Sequence, residues 1–304
     1  MEKLTQAKLH PRFPPLPQTM ADGQFKQWAA LLEQRTGLVL PLERKSFLVT
    51  SLGLRMRQVG YSSFQAYFDY LQWQDIEQQE WQILVDRLTV HETQFFRHPH
   101  SLDLIQTHWL MPYLNAGPAD SCLNILSVGC STGEEAYTLA MVIDYSITRS
   151  NAAVDWQMQA VDISLPCLAI AKAGQYRPRQ LAAITPDFQT RYGSIQDNQQ
   201  WQVSEALRQK IQFTAMNLLH IDQQRVGFQH LIVCQNVLIY FDRQRSLAIV
   251  EGLVNWLLPG GLLVLAPGEM VGWRHPWLKT VYYKDAVAFC RLNNDDTKGS
   301  NNYE

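Results

Sequence analysis

The sequence has no apolar run of the ~18 residues that a membrane-crossing helix requires, and its opening stretch, MEKLTQAKLHPRFPPLP, carries charge and proline where a secretory signal would be apolar. It also lacks any CxxC pair. The five cysteines, Cys122, Cys130, Cys167, Cys234 and Cys290, are odd in number and scattered, which argues against a disulfide framework or a zinc knuckle and leaves them as small buried hydrophobes of a reducing compartment. A basic excess is missing too: 26 Lys and Arg against 28 Asp and Glu leave a net charge of -2, whereas a dedicated nucleic-acid binder needs clustered positive charge. Neither the G-x-G-x-x-G dinucleotide fingerprint nor the Gly-Lys-Ser/Thr end of a phosphate loop occurs after a strand. These absences lead us to expect a soluble cytoplasmic protein that does not bind nucleic acid or insert in a membrane.

TVHETQFFRHPH, Thr89 to His100, crowds three histidines into twelve positions and begins like the HExxH of a zinc peptidase. In that motif both imidazoles lie one helical turn apart and face one ion. The residue four after His91 is Phe95, which cannot ligate, and His98 and His100 flank Pro99, which breaks helical spacing. No metal site is expected, and His98 and His100 read as polar surface.

The 304 residues are 46% hydrophobic, enough for two domains. Residues 1–20, with Pro11, Pro14, Pro15 and Pro17, read as a disordered arm, and residues 293–304, NNDDTKGSNNYE, as a disordered tail. Over residues 21–90 the apolar residues recur at helical spacing, as in FKQWAALLEQRTG with its stop at Gly37. A small all-helical domain is expected there. Over 91–292 strand-length apolar runs (LNILSV, DWQMQAVDIS, KIQFTAMNLL, HLIVCQNVLIYF, GGLLVLAPGE) alternate with helical segments. That rhythm predicts an α/β fold, a doubly wound, mainly parallel sheet with ligands outside the carboxyl ends of its strands. A polar, turn-rich insert at about 185–210 breaks the rhythm, and a helix and a short antiparallel hairpin around Trp201 are expected in it.

LSVGCSTGEEAYTLAM sets Gly129 and Gly133 between a buried strand and a helix, where the chain must turn sharply and a ligand approach the backbone. Glu134 and Glu135 follow. Two carboxylates repel phosphate and suit a cation, and S-adenosylmethionine offers a sulfonium and an ammonium without phosphate. The same pair would also favour a helix N-terminus through its dipole. Asp162, ending QMQAVD, stands where such folds place an acid on a ribose.

Taken in order, TVHETQFFRH, SVGCSTGEEAYTLAM, the acid of AVDIS, AKAGQYRPR, MNLL, CQNVLIYFD and LLPGGLLVLAPGE together resemble the chemotaxis receptor methyltransferase (CheR) family, over about residues 24 to 292. The resemblance implies transfer of a methyl group from S-adenosylmethionine to receptor glutamates, leaving S-adenosylhomocysteine. It implies cofactor contacts from His91, Thr93, Arg97, Gly129, Gly133, Glu135 (amino group), Asp162 (ribose), Asn217 and Leu218 (adenine edge), Gln235 and Asn236 (methionine end). Arg97 and Tyr240 take the catalytic places. Arg44, Arg55 and Arg57 would grip the partner, the cytoplasmic helical bundle of a chemoreceptor, with a monomer favoured. The sequence departs from the family pattern at Gln235, where arginine is usual, at Gly268, where serine is usual, and at His91, where asparagine is usual. The alternatives are a methyltransferase of another protein or a small molecule, and a non-catalytic module that senses the cofactor.

Overall fold

The computed structural model describes residues 19–72, 77–89, 92–117 and 122–293. The expected arm and tail fall almost wholly outside these residues, and His91 lies outside them too. The chain divides into two units. One comprises Val39–Leu88 with the described residues before Thr36, and the other comprises Thr36–Leu38 and the chain from Thr89 onward.

The first unit is helical: α1 (Asp22–Thr36), α2 (Lys45–Val59), α3 (Phe64–Leu71) and α4 (Glu77–Leu88). Each helix buries residues three or four apart, such as Phe25, Trp28 and Leu32 on α1, or Leu48, Leu52 and Met56 on α2, because that spacing puts side chains on one face. Gly60 ends α2 in the left-handed conformation, its N–H returning to Met56 O. Ser63 caps α3 by accepting from the Ala66 N–H. An ionic group lies among the described residues of this unit. Arg55 Nε donates to Glu80 Oε1 at 2.8 Å, a second guanidinium nitrogen donates to Glu80 Oε2, and the Tyr67 hydroxyl donates to Oε1 at 2.6 Å. Arg55, expected among the partner-gripping residues, therefore commits its guanidinium inward. Arg44 and Arg57 are exposed.

The second unit opens with α5 (Pro99–Asp103), which runs on as a π-helical turn (Leu104–Leu110) into α6 (Met111–Asn115). Next come β1 (Cys122–Val128), α7 (Glu134–Ser150), β2 (Asp155–Asp162) and α8 (Leu165–Ala173). The insert follows, with β3 (Gln175–Tyr176), α9 (Pro186–Tyr192), β4 (Gly193–Ile195), β5 (Trp201–Val203) and α10 (Glu205–Gln209). The chain then runs through β6 (Ile211–Ala215), β7 (Gln229–Cys234), α11 (Arg243–Trp256), β8 (Leu257–Leu265), β9 (Leu278–Tyr283) and β10 (Ala286–Arg291). The main sheet has the order β6-β2-β1-β7-β8-β10-β9, parallel except that β10 runs antiparallel to both β8 and β9. Helices lie on both faces. Leu123 and Ile125 of β1 join the cluster of α7, and Leu126 and Val128 join that of α11, so the strand reads as a nearly unbroken apolar run. A doubly wound, mainly parallel sheet is thus the observed fold.

In the insert, α9 and the β4–β5 hairpin match the expected helix and hairpin, and β5 also pairs with β3, making a small antiparallel sheet. The third strand escaped the sequence because two residues carry no period. The β9–β10 hairpin was not anticipated either. Its turn places Lys284 at φ 53°, a conformation usually taken by Gly, Asn or Asp.

Burial works to raise the Glu80 pKa, but the Arg55 fork and the Tyr67 hydroxyl outweigh it and hold the carboxyl below its ordinary value. Removing the carboxylate takes the main partner from a half-buried guanidinium and leaves it only Gln58 Oε1. Glu80→Ala is therefore expected to cost the helical unit about 3–5 kcal/mol, measured by urea denaturation of the full chain. Because the native pKa is depressed, this contribution is present above the unfolded value of ~4.3 and is lost as pH falls through the lower native value. The wild-type and variant curves should converge in acid.

Candidate functional site

Loops leaving the carboxyl ends of β1, β2, β6, β7 and β8 form the candidate site. Their backbone N–H groups have left the ladder and need other acceptors. After β1, Gly129 N and Cys130 N both donate to Val161 O on β2, at 2.8 and 3.0 Å. Ser131 N donates to Asp162 Oδ2 at 2.8 Å, and Ser164 N to Oδ1 at 2.9 Å. One carboxylate thus ties the turn after β1 to the turn after β2. Gly129 sits at φ 74°, and a Cβ there would stand 2.3 Å from Val237 Cγ2, so the β1 and β7 loops touch where no side chain fits. Gly133 begins α7 at φ 97°, closed in by the Tyr176 hydroxyl and Ala171.

Two carboxylates follow that turn. Glu134 is buried and accepts from Thr132 Oγ1 at 2.6 Å and from Gln180 Nε2 at 3.1 Å. Glu135 accepts from the Ser127 hydroxyl at 2.8 Å. Burial pushes its pKa up to about 8; the Ser127 bond and the charge of Arg97 pull it down, and Glu269 adds to the rise. Ser131 Oγ is buried and has no hydrogen-bond partner among the described residues, as expected of a loop that completes its bonding on a ligand.

The turn after β7 is held from below. Asn236 is left-handed at φ 60°, and its Oδ1 lies 2.6 Å from His98 Nε2. Glu269, buried in the turn after β8, accepts from Leu238 N at 2.9 Å and from Ala266 N at 3.0 Å. Gln235 is buried, its Nε2 donating to Ser101 Oγ and to Leu265 O. Tyr240 is half-buried in the short helical turn Leu238–Tyr240. On the β2 side, Asn217 follows β6 and its Oδ1 caps the turn by accepting from Leu219 N, with Leu218 buried beside it.

The segment before α5 completes the group. Phe95 is fully buried, edge-on to Tyr176 at 4.9 Å and to Trp201 at 6.2 Å. Phe96 N donates to Thr138 Oγ1 on α7. With that anchor, Thr93 is half-buried, and Arg97 Nη1 donates to Glu92 O at 2.7 Å. Gly129, Gly133, Glu135, Asp162, Asn217, Leu218, Gln235, Asn236 and Tyr240 therefore gather at the carboxyl ends of the parallel strands, and Arg97 joins them through its charge on Glu135. Arg44, Arg55 and Arg57 belong to the helical unit. Sequence reasoning missed His98, read as polar surface: it is half-buried and bonded to Asn236. It also missed the loop-holding role of Glu269 and the orphan hydroxyl of Ser131. A carboxylate four residues after a buried strand, in the turn APGE, was the available signal for Glu269. Among the described residues no group of three or more His, Cys, Asp or Glu could hold a metal ion.

The donor set fits a cationic ligand with hydroxyls. It offers carboxylates, an unpaired hydroxyl and a glycine turn, without the lysine of a phosphate loop.

Comparison with known proteins adds the following. The family model described as CheR methyltransferase, SAM binding domain, matches residues 91–286, and that described as CheR methyltransferase, all-alpha domain, matches residues 23–89. The chemotaxis protein methyltransferases of Klebsiella aerogenes and Escherichia coli are each 30% identical over 253 residues, covering 82% of this chain and 84% and 85% of theirs. Chemotaxis protein methyltransferase 1 of Pseudomonas aeruginosa is 30% identical over 254 residues, covering 82% of this chain and 90% of its own.

The raised Glu135 pKa has a sign that stability measurements can read. Between the unfolded value of ~4.3 and the native value of about 8, the folded protein keeps a proton that the unfolded chain has lost, so stability falls as pH rises through that window. Glu135→Gln removes the group. In ligand-free protein its urea midpoint relative to wild type should climb from pH 5 to pH 8 and level off above. A constant difference across that range would contradict the assignment.

Proposed function

Since the chain belongs to the CheR methyltransferase family, we propose that it moves the methyl group of S-adenosylmethionine onto glutamate side chains in the cytoplasmic helical bundle of a chemoreceptor, forming methyl esters. The observation that carries this reading is the acid-lined glycine turn at the carboxyl ends of the central strands, where Asp162 ties the loops after β1 and β2 together and Glu135, bonded to Ser127, has its pKa raised to about 8 by burial. The cofactor, when bound, supplies an electrophilic methyl group on a sulfonium.

The chain's own residues bind and orient. Glu135 would release its proton to solvent and hold the cofactor's ammonium as a carboxylate. Asp162 keeps one lone pair of each oxygen on Ser131 N and Ser164 N and offers the others to ribose hydroxyls. Asn217 and Leu218 border the adenine, Gly129 and Gly133 admit the ligand to the backbone, and Asn236 meets the methionine end, with Gln235 holding the strand end beneath it. Thr93 closes the group beside Arg97. A glutamate is already ionised at pH 7, so the transfer needs placement and desolvation rather than a general base. Arg97, anchored through Nη1, keeps its remaining donors for a carboxylate, which they can bind as a fork. Tyr240 presents a ring face to a sulfonium, a cation-π contact of roughly 0.5–2 kcal/mol. Arg44 and Arg57, exposed on the helical unit, suit an acidic receptor surface. Arg55 does not, being held by Glu80.

Transfer of label from methyl-labelled cofactor to membranes carrying the organism's own chemoreceptors tests this reading. Wild type should place label on the receptors in base-labile form, released as methanol. Arg97→Ala should lower the rate at least about tenfold, equivalent to roughly 1.4 kcal/mol. Base-stable label would refute ester formation, and equal labelling by the two proteins would refute the role of Arg97. Calorimetry with S-adenosylhomocysteine at pH 7, in buffers of different ionisation enthalpy, gives a second check. Wild type should release close to one proton per site on binding, and Glu135→Gln should release none.

A further inference from the structure

The contact between His98 and Asn236 joins residues 138 positions apart at 2.6 Å. Asn236 Oδ1 can only accept, so His98 Nε2 carries the proton. The bond therefore fixes the rotation of the carboxamide. With Oδ1 turned to His98, Nδ2 turns away, and it has no partner among the described residues. Asn236 sits in a left-handed conformation that asparagine tolerates better than most residues, and such a residue is kept in place by its surroundings.

Both sides of the bond are stiff. His98 immediately precedes α5, and its carbonyl accepts from Leu102 N at 3.1 Å. Three residues earlier Phe95 is locked in the core. Ser101, one turn along α5, takes Gln235 Nε2 at 2.9 Å, so successive residues of the β7 loop are bridged to one face of one helix. Beyond them the loop is pinned by Glu269 on Leu238 N.

We propose that His98 is a positioning residue for methyl transfer, holding Asn236 Oδ1 so that the Nδ2 donor faces the methionine end of the cofactor. This rests on the reading that Asn236 meets that ligand. His98 does not touch the reacting atoms. It removes the freedom of Asn236 to present its oxygen to a carboxylate, which would repel it.

A double-mutant cycle on the full chain tests the proposal, with calorimetric affinity for S-adenosylhomocysteine and steady-state kinetics as readouts. His98→Leu, of similar bulk but without a donor, is expected to weaken binding about fivefold, the scale of one hydrogen bond, and to raise the cofactor KM with little change in kcat. His98→Gln, which keeps a donor, should recover most of the loss. In an Asn236→Ala background, His98→Leu should have no further effect. If Asn236→Ala alone leaves affinity unchanged, the reading of Asn236 as a cofactor contact is wrong and this proposal falls with it. If Asn236→Ala weakens binding but the two losses are additive, or if His98→Gln is no better than His98→Leu, then the cofactor reading stands and the positioning role is overturned. Circular dichroism and the thermal midpoint identify any variant that fails to fold, and if His98→Leu is such a variant the cycle is repeated with His98→Phe, which also lacks a donor, so that additivity is equally decisive.

Discussion

Backbone N–H groups that have left the sheet must find acceptors, and in this protein carboxylates supply them. Asp162 takes the amides of Ser131 and Ser164. Glu269 takes those of Ala266 and Leu238, and Glu134 takes the Thr132 hydroxyl and the Gln180 amide. Buried polar groups of this kind are costly unless paired, so these pairings let the loops close over the sheet. The same carboxylates load one end of the sheet with negative charge. Burial then raises the Glu135 pKa to about 8, and the groups that build the site also suit it to a cation.

The insert is tied into that end of the molecule. Tyr176 donates its hydroxyl to Thr132 O at 2.7 Å, Gln180 reaches Glu134, and Trp201 packs against Phe95. Residues from three distant stretches thereby fix one turn. The aromatic pair Phe95 and Phe96, which drew less notice in the sequence than the histidines around it, decides where Arg97 starts.

Much of this was legible in the sequence because it rests on period and on glycine. The helical stripe of α2, the apolar run of β1, the turn from Gly129 to Gly133 and the acid ending β2 are local patterns, and the structure repeats them. What was not legible depends on partners far along the chain. Arg55 read as a free cation because Glu80 lies 25 positions away, and His98 read as surface because Asn236 lies 138 away. Glu269 was quoted within a motif without a role, since its acceptor function appears only once the β7 and β8 loops are side by side. Short elements failed for another reason: β3 is too brief to show alternation, and the turn at Lys284 uses a residue that gives no turn signal.

The sheet order also bears on how the protein is made. β1 lies between β2, which follows it closely, and β7, whose first residue is Gln229. On a ribosome adding about 5–20 residues per second, β1 waits about 5–20 s after Val128 for its second neighbour. During that interval the apolar edge of Ile125–Val128 has no strand to pair with, and pairings between residues so distant form slowly in any case. The helical unit is complete before β1 has been synthesised. A chaperone that covers nascent apolar edges would act on this interval, and truncation anywhere before β7 would leave the central strand open to other chains.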